Sequence, residues 1–161
     1  MTNLRAYLQQ MADNWAKLGA PALMERFVLR NGDEFEGRKL PKGYRLGTPK
    51  ECFYNAAMLV LDKPGLRYVE GYVWREGLPL AIHHAWVIDA KGRVIDNTLR
   101  DPERCQYMGV GYIRAELWNE LQKNQYYGLL DSGMGLNADL MFRIDPDLKD
   151  MVEAVMQGRA A

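Results

Sequence analysis

The sequence predicts an α+β fold in which helices pack on one face of an antiparallel sheet. Three observations predict it. Apolar residues recur at helical spacing from Leu4 to Val28 and again from Phe53 to Leu61. From Leu66 the pattern changes to alternation in β-favouring residues, interrupted by tight-turn sequences. Helical spacing then returns toward the end, without the strand–helix alternation that a parallel sheet requires. At 161 residues the chain is expected to form a single domain, 1–161, large enough to bury a core without disulfides or metals.

Leu4, Leu8, Met11, Trp15 and Leu18 make one apolar stripe with Thr2 or Asn3 as cap, which predicts a first helix ending near Gly19. Ala20-Pro21 reopens the chain into a second helix to about Leu29, with Leu23, Phe27 and Val28 on its apolar side and Asn31-Gly32 as its stop. Residues 31–48, rich in charge, Gly and Pro, read as a long exposed approach to the next element. There Thr48 is an N-cap, Pro49 suits the first helical position and Glu51 completes a capping box. Phe53, Ala56, Ala57, Val60 and Leu61 extend that helix to about Leu61, before Asp62-Lys63-Pro64-Gly65. Cys52 therefore falls in its first turn, where unpaired N–H groups and the positive end of the helix dipole favour thiolate over thiol.

Leu66–Arg75 is the first strand and Glu76-Gly77-Leu78-Pro79 its turn. Leu80 to about Asp89 is the second strand, Ala90-Lys91-Gly92 a tight turn, and Arg93 to about Thr98 the third, so the centre of the chain is an antiparallel meander. Glu70 and Tyr72 share a face of the first strand and read as a solvated edge or a cleft lining, while Trp86 reads as a core or cleft-wall aromatic. Residues 99–108 read as polar loop, with Cys105 an incidental thiol, and Gly109–Arg114 as a further strand. Ala115 to about Lys123 is helical, 124–139 is irregular surface chain, and Met141–Ile144 reads as a short strand. Asp145-Pro146-Asp147 caps a last helix carrying Leu148, Met151, Val152 and Val155.

Lys plus Arg balances Asp plus Glu at 21 each, which leaves no net field to hold nucleic acid or an anionic membrane. No apolar run approaches the ~20 residues of a membrane span, and residues 1–20 mix charge into their apolar pattern unlike a signal peptide, so a cytoplasmic location is expected. The two cysteines, Cys52 and Cys105, are then expected as free thiols. No CxxC or HExxH spacing points to a metal, and Gly109-Val110-Gly111 lacks the third glycine and following helix of a dinucleotide fingerprint, so no cofactor is expected.

A nucleophilic thiolate needs a base within hydrogen-bond reach and a third group to orient that base. The only histidines, His83 and His84, are adjacent and point to opposite faces of a strand. If Ala90-Lys91-Gly92 is a three-residue loop with Gly92 left-handed, Trp86 stands opposite Asp96 and His84 shares the face of Asp96 as its diagonal neighbour. A two-residue turn would bring His83 there instead.

A cysteine at the start of a buried helix, a strand bearing His84-Ala85-Trp86, a turn, and a strand bearing Val94-Ile95-Asp96-Asn97-Thr98 resembles the catalytic core of the transglutaminase-like branch of the papain-like cysteine superfamily. The likeness covers roughly residues 48–99. Short phage and bacterial proteins of unassigned function share a similar pattern, including a segment like Gly109-Val110-Gly111-Tyr112. The resemblance implies a papain/transglutaminase-like core: N-terminal helices and a central Cys-bearing helix packed on the meander. It implies Cys52 as nucleophile, His84 as general base and acid, and Asp96 as orienting carboxylate. The family's second oxyanion donor has no clear counterpart; Gln9, Gln10 and Tyr44 are the candidates. The expected function is a cysteine hydrolase, a peptidase, deamidase or related amidase, whose partner is a protein, peptide or small amide substrate. Acyl transfer by the same triad and a non-catalytic binding or inhibitor protein on the same fold are the alternatives.

Overall fold

The computed structural model describes residues 3–158. It is an α+β structure of six helices and a five-stranded antiparallel sheet. In chain order the elements are α1 (Leu4–Lys17), α2 (Leu23–Asn31), β1 (Asp33–Glu36), α3 (Cys52–Asp62), β2 (Arg67–Arg75), β3 (Ile82–Ile88), β4 (Val94–Ile95), β5 (Cys105–Tyr112), α4 (Arg114–Asn124), α5 (Ala138–Ile144) and α6 (Asp147–Met156).

Strands β2, β3 and β4 form the expected meander, but β5 returns to the other side of β2 and β1 pairs outside it, giving the order β1-β5-β2-β3-β4. This makes β2 a central strand, so Glu70 and Tyr72 are buried rather than lying on a solvated edge. Alternation splits the sheet into two faces. One carries Tyr68, Tyr72, Ala85, Val87, Met108 and Val110 into a large core with the helices. The other carries Val69, Val73, Trp86 and Tyr107 into a smaller core closed by Phe35 and Leu99.

Asn3 caps α1 by accepting from the Ala6 N–H; Thr2 lies outside the described residues. Only Leu4, Leu8 and Ala12 of α1 are buried, and Trp15 and Leu18 at its end are exposed. Residues 33–36, expected as exposed approach, pair with β5 as β1. β5 begins at Cys105 rather than Gly109, and Cys105 is a buried member of the smaller core rather than an incidental loop thiol. Within residues 124–139 Leu129 and Leu130 are buried, so that stretch is not all surface chain. Met141–Ile144, expected as a strand, belongs to α5, which Asn137 caps by accepting from the Leu140 N–H. Asp145 does not cap α6 through its side chain; Arg30 of α2 donates to both its oxygens, at 2.6 and 3.0 Å, and so ties α2 to the C-terminal helices.

Candidate active site

α3 begins at Cys52 itself. The expected Thr48 cap and capping box do not form, because the Asn55 side chain holds Thr48 from both sides. Its Oδ1 accepts from the Thr48 N–H at 3.0 Å and its Nδ2 donates to the Thr48 carbonyl at 2.8 Å. Lys50 then turns through left-handed backbone at φ 68°, and Glu51 is the N-cap without a side-chain bond. Cys52 is thereby the first helical residue, and its N–H is one of those that a helix leaves without an internal partner. Gly47 makes this packing possible, since a Cβ there would lie 2.3 Å from Asn55 Oδ1. Asn55 Nδ2 also donates to Thr98 Oγ1 at 2.9 Å, and Gly47 N–H donates to the Asn97 carbonyl at 2.7 Å. These bonds fasten the start of α3 to the segment that follows β4.

The β3–β4 hairpin settles the choice of histidine. Gly92 is left-handed at φ 72°, its N–H donates to the Asp89 carbonyl at 2.9 Å, and Asp89 N–H donates to the Arg93 carbonyl at 3.1 Å. Ile88 stands opposite Val94 and Val87 opposite Ile95, the register of the three-residue loop. His84 Nε2 consequently lies 2.8 Å from Asp96 Oδ2. His83 points to the other face, where its Nε2 lies 3.0 Å from Glu70 Oε1 and its ring packs on Phe53 at 4.8 Å between centroids.

Asp96, just beyond β4, is fully buried with both oxygens in use. Oδ1 accepts from the Thr98 and Leu99 N–H groups at 2.8 and 3.1 Å, and Oδ2 accepts from the Tyr107 hydroxyl at 2.9 Å besides facing His84. Burial alone would raise this carboxyl, but the His84 hydrogen bond and charge, with the two backbone donors, hold it below its usual range. Burial likewise pushes the His84 imidazole down, yet hydrogen bonds to Asp96 and Cys52 and the charges of both outweigh it and lift the imidazole to about 9. Cys52 is thus close enough for its side chain to act on the His84 imidazole, and with Nε2 given to Asp96, Nδ1 is the ring nitrogen left for another partner. Cys52, His84 and Asp96 are 8%, 2% and 0% exposed, so all three are buried.

The three candidate oxyanion donors are not drawn to the thiol. Gln9 donates to Asp13 within α1 and Gln10 is exposed on the same helix. Tyr44 lies under the Lys63 ammonium at the far end of α3, about 16 Å of helix from Cys52. The backbone N–H of Cys52 is the donor the helix start itself supplies.

Of two further buried groups, Tyr107 escaped the sequence reading and Glu70 was read as a solvated edge or cleft lining. Tyr107 fell in what read as polar loop; its alternation with Cys105 and Gly109 was the available sign of a strand. Glu70 is a fully buried carboxylate that accepts from the Tyr68 hydroxyl and the Leu129, Leu130 and Asp131 N–H groups besides facing His83. Its sign was an acidic residue in the middle of an apolar strand.

Comparison with protein-family models, with curated proteins and with solved structures finds no match. Among the described residues no helix is long and apolar enough to cross a membrane, and no group of three or more His, Cys, Asp or Glu side chains is arranged to hold a metal ion.

Proposed function

We propose that this chain is a cysteine hydrolase of the transglutaminase-like type, acting on an amide, isopeptide or related acyl bond. The observation that carries the reading is the buried His84–Asp96 pair, 2.8 Å apart, with Cys52 at the first position of α3 acting on the same imidazole. The chain order of cysteine on a helix, histidine on a strand and aspartate at the end of the next strand supports it further.

In this reading His84 is an imidazolium at neutral pH and balances the charge of the attacking Cys52 sulfur. The thiolate attacks the acyl carbon, and the Cys52 N–H donates to the oxygen that becomes negative. The C–N bond breaks as Nδ1 of His84 gives its proton to the departing amine, leaving a thioester on Cys52. Neutral His84 then takes a proton from water, whose oxygen attacks the thioester. Collapse releases the acid and restores the thiolate–imidazolium pair. Asp96 keeps the ring in the tautomer and orientation that present Nδ1 to the sulfur.

The reading is tested by intact-protein mass spectrometry after mixing with activated acyl esters and peptide amides. A covalent adduct on Cys52 that disappears with time in water, and is absent from Cys52→Ala, is expected. Faster loss of the adduct with a new amide product when an amine is added would identify acyl transfer. An acyl adduct that never forms on Cys52 contradicts both.

The low exposure of Cys52, 8%, favours one other reading, a binding protein that retains the fold. In that case Cys52→Ala leaves biological activity intact.

A further inference from the structure

We infer that Tyr107 is a positioning residue of the candidate site: its hydroxyl, by donating to the Asp96 oxygen that also faces His84, sets how strongly that carboxylate holds the imidazolium. Tyr107 is 1% exposed and stands opposite Val73 in the β2–β5 ladder, its ring against Trp86 at 4.9 Å between centroids. Its oxygen lies 2.9 Å from Asp96 Oδ2, and His84 Nε2 lies 2.8 Å from the same atom. Asp96 Oδ1 is meanwhile occupied by two backbone N–H groups.

One oxygen thus serves two donors, and the negative charge it offers is divided between them. A stronger donor at Tyr107 draws charge away from His84 and makes the imidazole less basic. Loss of the donor concentrates the charge on His84 and makes it more basic. The other groups facing this pair are Cys52 from α3 and Cys105 beside the Tyr107 hydroxyl on β5. Burial and the Asp96 charge push the Cys105 thiol up to about 11, so it stays neutral at working pH and adds no competing charge. Tyr107, likewise pushed up by burial and by Asp96, remains a hydroxyl donor throughout.

The proposed hydrolase reading gives this arrangement its purpose, but the test needs no substrate and fails separately from that reading. In the full chain, the imidazoles of His83 and His84 are titrated by NMR with labelled histidine, in wild type, in Tyr107→Phe, and with 3,5-difluorotyrosine placed at position 107. His83 is an internal control, because it faces Glu70 on the other side of β3. Tyr107→Phe is expected to move the His84 midpoint up by about half a pH unit or more, and the fluorinated residue, a stronger donor, to move it down, with His83 unchanged. The fluorinated residue keeps both shape and hydroxyl, so it carries the test if Tyr107→Phe does not fold. A His84 midpoint that ignores the fluorinated residue, or moves the same way in both variants, overturns the inference.

Discussion

His84 and Asp96 meet at 2.8 Å because a three-residue loop, not a two-residue one, closes the hairpin between them. Both groups are buried, and the pair is held by charge as well as by geometry. Asp96→Asn keeps the shape but removes the charge and turns a donor toward His84 Nε2 or the Tyr107 hydroxyl. It should bring the His84 imidazole down from about 9, since burial is then opposed by Cys52 alone. Stability should fall by about 3 kcal/mol or more, as expected when one partner of a buried pair is removed. NMR titration of His84 and urea unfolding check the two parts.

The same pair makes stability depend on pH. For His84 the folded value of about 9 exceeds the ordinary 6.5, so its contribution is complete below 6.5 and is lost as pH rises toward 9. For Asp96 the folded value lies below 3.8, so its contribution is present above 3.8 and is lost as pH falls through the lowered folded value. Urea midpoints should therefore be level between about pH 4.5 and 6 and decline on both sides. The alkaline loss attributable to His84 is on the order of 3 kcal/mol. A flat alkaline limb in His84→Gln, measured beside wild type, is the expected control.

Glu70 fastens residues 129–131 to the centre of the sheet by accepting from three successive backbone N–H groups. Glu70→Ala leaves the buried Leu129 and Leu130 N–H groups without that acceptor and the Tyr68 hydroxyl with only the Tyr127 carbonyl at 3.3 Å, and should cost about 3 kcal/mol or more. Amide exchange at Leu129, Leu130 and Asp131 should rise well before that of β2 itself. Unfolding and hydrogen-exchange measurements on this variant test both statements.

Trp86 depends on the absence of a side chain at Gly109. A Cβ there would lie 2.7 Å from Trp86 Cη2 and 2.6 Å from the Glu70 carbonyl oxygen. Gly109→Ala must push apart the smaller core that carries Tyr107 and the stacked His84–Trp86 pair, and a loss of about 1–3 kcal/mol is expected. Thermal unfolding would show it, with the Trp fluorescence maximum shifted to longer wavelength.

Local chemistry was legible where a short stretch carried its own instructions. The three-residue loop Ala90-Lys91-Gly92 was one of the two turns weighed, and with it the hairpin register brings His84 to Asp96. Helix periodicity gave α1, α2, α4 and α6 to within a few residues. What stayed hidden depended on partners distant in sequence. β1 and the early start of β5 exist because the two pair with one another across nearly half the chain, and β5 sits beside β2 rather than β4. Tyr107 was therefore invisible as a neighbour of Asp96. The start of α3 was misread for a related reason: Thr48-Pro49-Lys50-Glu51 has the composition of a capping box, but the Asn55 amide competes for the backbone of Thr48 and wins. Met141–Ile144 was apolar and too short for periodicity to separate helix from strand, and the Asn137 cap decided for helix.

The most direct test of the account is the rate of iodoacetamide alkylation at Cys52 between pH 4 and 9, in wild type, His84→Ala and Asp96→Asn. Peptide mass spectrometry resolves it from the buried Cys105 without a further substitution. The account predicts that Cys52 reacts readily at pH 6 and that removing His84 lowers this rate by about tenfold or more, with Asp96→Asn intermediate. A Cys52 that is inert across the range, or whose profile is the same with and without His84, would contradict the claim that these three residues form an activated nucleophile.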